Sequence, residues 1–163
     1  MKLALALAVG LLLAACGFQL RGAAALPFET LYVPGATSGI ALDLKRNIQS
    51  GSTTRVVDDP KAAEALLQFT EETRAKEILS LSTAGRVREF RLVYRVRFRV
   101  GDGKGGEFLP PTTVVLSRNV TYDDSVALAK ETEEQLLFRD MQNDMVQQIM
   151  RRLAAARRPG AAN

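Results

Sequence analysis

The chain has 163 residues, with 22 Lys and Arg against 18 Asp and Glu for a net charge of +4, a single cysteine and no histidine. Without histidine it lacks the commonest general base and metal ligand at neutral pH, and one cysteine can build neither an internal disulfide nor a thiolate metal site, so most hydrolytic and metal-dependent chemistries lose a required part. A charge excess this small calls for no nucleic-acid partner and matters only where it is clustered.

Lys2 opens the chain, and residues 3–13 contain only Leu, Ala, Val and Gly. This apolar run is too short to span a bilayer, which takes about 20 residues, and reads as a signal-peptide core. It ends in Leu13-Ala14-Ala15-Cys16-Gly17, the pattern of a bacterial lipobox. That pattern predicts a diacylglycerol thioether on Cys16, cleavage before it and acylation of the new amine, chemistry that suits a nucleophilic thiol. Two or three acyl chains, at about 0.8 kcal/mol per buried methylene, give durable anchoring. Gly17, standing where an acidic residue would favour the inner membrane, points to the periplasmic face of the outer membrane. Residues 1–15 are expected to be removed and 16–28 to form the lipidated cysteine and its tether. Of 163 residues, 148 then remain, enough for one domain, expected over 29–158.

Glu29 to Val33 reads as a first strand ended by Pro34-Gly35. Ile40, Leu44 and Ile48 recur at helical spacing after a cap at Thr37 or Ser38, and Gly51 stops the run. A short stretch around Thr54 to Val57 precedes Asp58-Asp59-Pro60, and a strand is expected from Ala65 to Leu81. After the turn Ser82-Thr83-Ala84-Gly85, Phe90, Leu92, Tyr94, Val96, Phe98 and Val100 alternate with Arg91, Val93, Arg95, Arg97 and Arg99. Period two over eleven residues predicts a strand with one core face and one basic face. The glycine-rich run 101–106 is a hairpin connection, and Thr112 to Val120 is the returning strand, with Pro110-Pro111 at its start. From Ser125 to about Ala156, Leu137, Phe138, Met141, Met145, Ile149 and Leu153 form a buried helical stripe, with Asp123 and Asp124 at one end and Arg151, Arg152, Arg157 and Arg158 at the other. Residues 159–163 are expected to be a disordered tail. The predicted fold is α+β, a two-layer sandwich with two helices packed on one face of a mixed four-stranded sheet, leaving the arginine-bearing face open.

Cys16-Gly17-Phe18-Gln19-Leu20-Arg21-Gly22 resembles the start of mature LPS-assembly lipoproteins of the LptE family. Ser117-Arg118, Tyr122-Asp123, Ala127-Leu128-Ala129-Lys130, Glu134, Met141, Asp144 and Arg152-Leu153 resemble its closing strand and C-terminal helix. The resemblance implies a noncatalytic outer-membrane lipoprotein without cofactor, seated as a plug in the β-barrel LptD, assisting its assembly and binding lipopolysaccharide. It also implies that Lys130 matches a basic residue used for lipopolysaccharide. The family's second such residue falls on Thr83, which has no charge to offer, and Arg86 and Arg88 stand close enough to substitute.

Arginine recognises phosphates and carboxylates through paired, fork-like hydrogen bonds, so Arg91 and Arg95 join Lys130, Arg86 and Arg88 as candidate lipopolysaccharide contacts. A solvated strand face kept charged against aggregation explains the same arginines. By spacing alone Lys130 is an ordinary helix lysine pairing with Glu134, and Met141, Met145 and Met150 are core. Asp58-Asp59 and Asp123-Asp124 lie at turn and cap signals and carry no catalysis. The competing function is a lipid-anchored periplasmic accessory that binds peptidoglycan or regulates a cell-wall enzyme.

Overall fold

The computed structural model describes residues 24–160. Five strands form one mixed sheet in the order β2-β1-β3-β4-β5: β1 Thr30–Tyr32, β2 Arg55–Val57, β3 Ala65–Leu81, β4 Val87–Gly101 and β5 Glu107–Thr121. β1 runs parallel to both β2 and β3, and β3-β4-β5 is an antiparallel meander. Helix α1 (Gly39–Gly51) connects β1 to β2, and α2 (Ala127–Ala154) follows β5 after a 3-10 turn over Asp124–Val126.

The expectation of four strands is corrected to five. The added strand, β2, has three residues, too few for alternation to show in sequence. Register pairs Thr30 with Arg55, Leu31 with Val56 and Tyr32 with Val57, and Thr54 Oγ1 donates to the Phe28 carbonyl at 2.8 Å just ahead of it. Pro110 and Pro111 sit within β5, not before it. They fall where the register with β4 skips from Leu109, opposite Val100, to Thr112, opposite Phe98, an irregularity on an edge strand where prolines are tolerated.

The core lies between the helices and the near half of the sheet. Leu92, Tyr94, Val96, Phe98 and Val100 of β4 are buried, as are Ile40, Ala41, Leu44 and Ile48 of α1 and Met141, Met145, Val146, Ile149 and Leu153 of α2. Phe28 and Phe108 meet edge to face at 5.4 Å. Above the core the two helices are tied by Gln142 Nε2 donating to Asp43 Oδ2 at 2.5 Å and Gln147 Nε2 to Asn47 Oδ1 at 3.1 Å.

Buried α2 residues begin only at Met141, so the first half of this helix lies along the sheet without a fully buried side chain. The β3-β4 hairpin reaches beyond the core in the same way, exposed from Glu72 to Leu79. The chain enters at one end of the sheet, where Ala24 N donates to Gly51 O at 2.7 Å and β3 begins. The far end collects the β3-β4 turn, the end of β5 and the start of α2. At 17 residues and about 3.3 Å per residue, β3 separates the two ends by roughly 50 Å.

Candidate functional site

The charged side chains fall into two groups on different surfaces. On the sheet face turned away from the helices, β4 presents Arg91, Arg95, Arg97 and Arg99, all exposed, while its alternate residues are buried. Arg91 lies across from Glu77 and Asn119, Arg95 from Thr73 and Val115, and Arg97 from Glu71 and Thr113. Arg95 Nη1 is 3.9 Å from Glu71 Oε1 and Arg99 Nη1 is 3.9 Å from Glu107 Oε1, and Arg99 Nε donates to Gln68 Oε1 at 2.7 Å. Such exposed pairs contribute about 0–1 kcal/mol and yield readily to a stronger anion. Among the described residues, Arg91 and Arg97 have no ion-pair partner.

The second group is at the far end. The Ser82–Arg86 turn closes with Ser82 N donating to Arg86 O at 2.7 Å and Arg86 N to Ser82 Oγ at 3.1 Å. Gly85, at φ +74°, takes the left-handed position that the turn requires. Thr83, Arg86 and Arg88 are exposed here. Ser80 pairs with Glu89 and Leu81 with Val87, so Arg88 is the extra residue of a bulge. Tyr122 N donates to Arg88 O at 2.8 Å, which brings the end of β5 and the entry to α2 beside it. Ser80, Leu81, Arg88, Glu89, Thr121 and Tyr122 line a shallow depression of about 410 Å³. Lys130 reaches its rim, with Nζ 3.4 Å from Thr121 Oγ1.

Lys130 does not pair with Glu134 as its spacing suggested. Its ammonium lies 2.7 Å from Glu133, and Glu134 instead takes Lys76 at 2.5 Å. Nearby, the Asp123 carboxyl is held below its ordinary range by the Ser125 N–H, with the Ser125 hydroxyl and the charge of Lys130 adding to the effect. Lys130 and Arg88, 42 residues apart in sequence, thus converge on one depression. Arg86 stands in the adjoining turn, and Arg91 and Arg95 point from the sheet's other face. Cys16 lies outside the described residues.

Sequence reasoning missed Arg74 and Lys76. A bulge at Thr70 shifts the parity of β3, so that Glu72, Arg74 and Lys76 sit across from Val96, Tyr94 and Leu92 on the helix side. Lys76 Nζ lies 4.3 Å from the Phe90 ring centroid and Arg74 lies 4.8 Å over Tyr94, whose hydroxyl donates to Glu72 at 2.7 Å. Burial, then the Glu72 contact, pushes the Tyr94 phenol well above its usual range. Arg74 also hydrogen-bonds Gln142. These contacts hold the uncovered half of α2 to the hairpin where apolar burial runs out. Arg118 and Asp144, two of the residues that carry the family resemblance, pair at 2.7 Å between β5 and α2.

The far end also exposes Ile78, Leu79 and Leu81 on β3, and Val126 and Leu128 at the start of α2. Cations and apolar side chains gathered at one end suit an amphiphile with an anionic headgroup. No helix among the described residues is long and apolar enough to cross a membrane, and no group of three or more His, Cys, Asp or Glu is placed there to hold a metal ion.

Comparison with known proteins agrees with the resemblance seen in the sequence. The family model for LptE, described as lipopolysaccharide-assembly, matches residues 28–153. The LPS-assembly lipoprotein LptE of Yersinia enterocolitica is 31% identical over 157 residues, covering 94% of this chain and 74% of that protein. The one from Pectobacterium atrosepticum is 27% identical, covering 93% and 83%. Among solved structures, a lipoprotein B from Nitrosomonas europaea superposes with a TM-score of 0.73 at 43% identity, covering 85% of this chain and 91% of that one. The rare lipoprotein B of Shewanella oneidensis, at 24% identity and a TM-score of 0.65 over 77% and 92%, shares the fold. The chain belongs to the LptE family of lipopolysaccharide-assembly lipoproteins.

Proposed function

We propose that this chain is an outer-membrane subunit of the lipopolysaccharide translocon, anchored through an acylated Cys16, seated in the lumen of the LptD β-barrel, assisting the barrel's assembly and binding lipopolysaccharide. The observation that carries the reading is the convergence of Lys130 and Arg88 on one far-end depression beside exposed Ile78, Leu79 and Leu81. Lipid A and the inner core carry clustered phosphates and carboxylates next to acyl chains, and charge-assisted hydrogen bonds from Arg and Lys meet the first while exposed aliphatics meet the second.

The mechanism is binding without turnover. Glu133 engages Lys130 as an i,i+3 pair with side-chain exposures of 47% and 19%, worth about 0.2–0.5 kcal/mol, so a multivalent phosphate displaces it at little cost. Arg86 adds a cation in the turn, in place of the uncharged Thr83. Arg91 and Arg95, on the opposite face, offer a separate set of anion contacts that cannot share a headgroup with Lys130. Weak and distributed contacts suit a component that must receive the glycolipid and release it again. The test is capture of lipopolysaccharide by the full chain and by Lys130→Asp, with thermal melts to show an intact fold. Loss of capture supports the reading, and unchanged capture removes Lys130 from the site.

A further inference from the structure

We infer that the near end of the molecule, carrying Lys104, Arg151, Arg152, Arg157 and Arg158, is a contact surface for the anionic phospholipid headgroups of the leaflet that holds the N-terminal anchor. The inference rests on the acylation of Cys16 proposed above. Eight peptide steps separate Cys16 from Ala24, and at no more than about 3.6 Å each they allow roughly 29 Å. An acyl anchor on Cys16 therefore keeps the near end close to the membrane surface and the lipopolysaccharide depression away from it.

The cations gather at that end through three elements. Ala24 bonds Gly51 O there at 2.7 Å, and Arg157 N donates to Phe108 O at the start of β5 at 3.0 Å. The 101–106 loop lies beside them, with Gly106 packed on Pro159 closely enough that a Cβ there would come within 2.8 Å of it. Glu29, Glu64, Asp102 and Glu107 are the carboxylates at this end, with Glu29 exposed and Glu107 3.9 Å from Arg99. Glu64 receives Arg158 at 3.3 Å and the Glu29 N–H at 2.7 Å, and Asp102 accepts the N–H groups of Lys104 and Gly106 at 2.7 and 2.8 Å. Arg151 and Arg152 are exposed and have no ion-pair partner among the described residues. Helix-dipole complementarity accounts for cations in the last turn of α2. It does not account for Lys104 on a different loop, and of the two arginines beyond the helix Arg158 already meets Glu64. A basic cluster beside a lipid anchor is the two-signal arrangement that binds anionic bilayers, each cation adding roughly fivefold near the surface.

The test places an environment-sensitive maleimide dye on Ala155→Cys, an exposed position just past α2, in the full lipoprotein purified from membranes. The chain's one native cysteine is Cys16, so acylated protein takes one dye and non-acylated protein takes two. The protein is reconstituted into phosphatidylcholine vesicles with or without phosphatidylglycerol, both carrying the same fraction of headgroup-linked quencher. The expected result is one dye per chain and several-fold stronger quenching in the anionic vesicles. That excess should be lost at high salt, lost in Arg151→Ala/Arg152→Ala and kept in Arg151→Lys/Arg152→Lys. One dye with equal quenching in both vesicles, or a response indifferent to the alanine pair, overturns the headgroup contact and leaves the anchor standing. Two dyes overturn the anchor, and the inference with it.

Discussion

Replacing Lys130 or Arg88 by Ala separates a shared phosphate site from two unrelated surface charges. A charge-assisted hydrogen bond is worth about 1.5–3 kcal/mol when its partner stays bound, and Arg88 has no ion-pair partner among the described residues to give up first. Arg88→Ala should therefore weaken lipopolysaccharide binding by roughly 10- to 150-fold. Lys130 must first release Glu133, at 2.7 Å, a loss of about 0.2–0.5 kcal/mol. Lys130→Ala should then lose about 1–2.5 kcal/mol, or roughly 5- to 70-fold, and Glu133→Gln should tighten binding about twofold. Because both side chains border one depression, the double variant should lose less than the sum of the singles, with a coupling of at least about 0.5 kcal/mol. Arg95→Ala, on the far side of the sheet, should combine additively with Lys130→Ala. The assay is anisotropy of labelled lipopolysaccharide titrated with the full chain at fixed salt, with a thermal melt for each variant. Additive Lys130 and Arg88 effects, or no effect of either, would refute the shared site.

The cation-aromatic contacts along β3 make a stability prediction. Lys76 pairs with Glu134 at side-chain exposures of 35% and 25% and lies 4.3 Å from the Phe90 ring centroid. A partly screened ion pair and a cation-π contact each contribute about 0.5–1 kcal/mol. Lys76→Met should cost about 1–2 kcal/mol and lower Tm by roughly 3–6 °C. Glu134→Gln should cost about half as much, and additive losses in the double variant would show that the pair is not coupled. The 101–106 loop should be acid-sensitive. The N–H of Lys104, followed by that of Gly106, holds the Asp102 carboxyl below its ordinary range in the folded state. Its stabilisation is thus complete above the unfolded value of about 3.9 and is lost as pH falls through the lower folded value. Loop amides measured by NMR should lose their ordered shifts at acid pH and be steady from pH 5 upward, and Asp102→Asn should remove that step.

Much of this fold is written locally in the chain. The eleven-residue alternation of β4 could settle only as a strand with a basic face, and the uninterrupted stripe from Leu137 to Leu153 only as a long helix. What escaped depends on pairing between distant segments. β2 is held by its parallel register with β1 and by flanking contacts, so three residues carried no periodic signal. One extra residue at Thr70 reversed the faces of β3 and hid Arg74 and Lys76 from any alternation count. The meeting of Arg88 with Lys130 depends on the Tyr122-Arg88 backbone bond and the helix entry that follows it, which no spacing reveals. Family resemblance alone singles out Lys130, and its partner Glu133 emerges only in three dimensions.

Intact-mass analysis of the chain pulled down from detergent-solubilised envelopes reads the anchor and the partner together. The expected result is a chain beginning at Cys16, heavier than its polypeptide by two or three acyl groups and a glycerol, in stoichiometric complex with a large β-barrel. A chain of unmodified mass that migrates alone, or one recovered with peptidoglycan or a wall enzyme and no barrel, would contradict it.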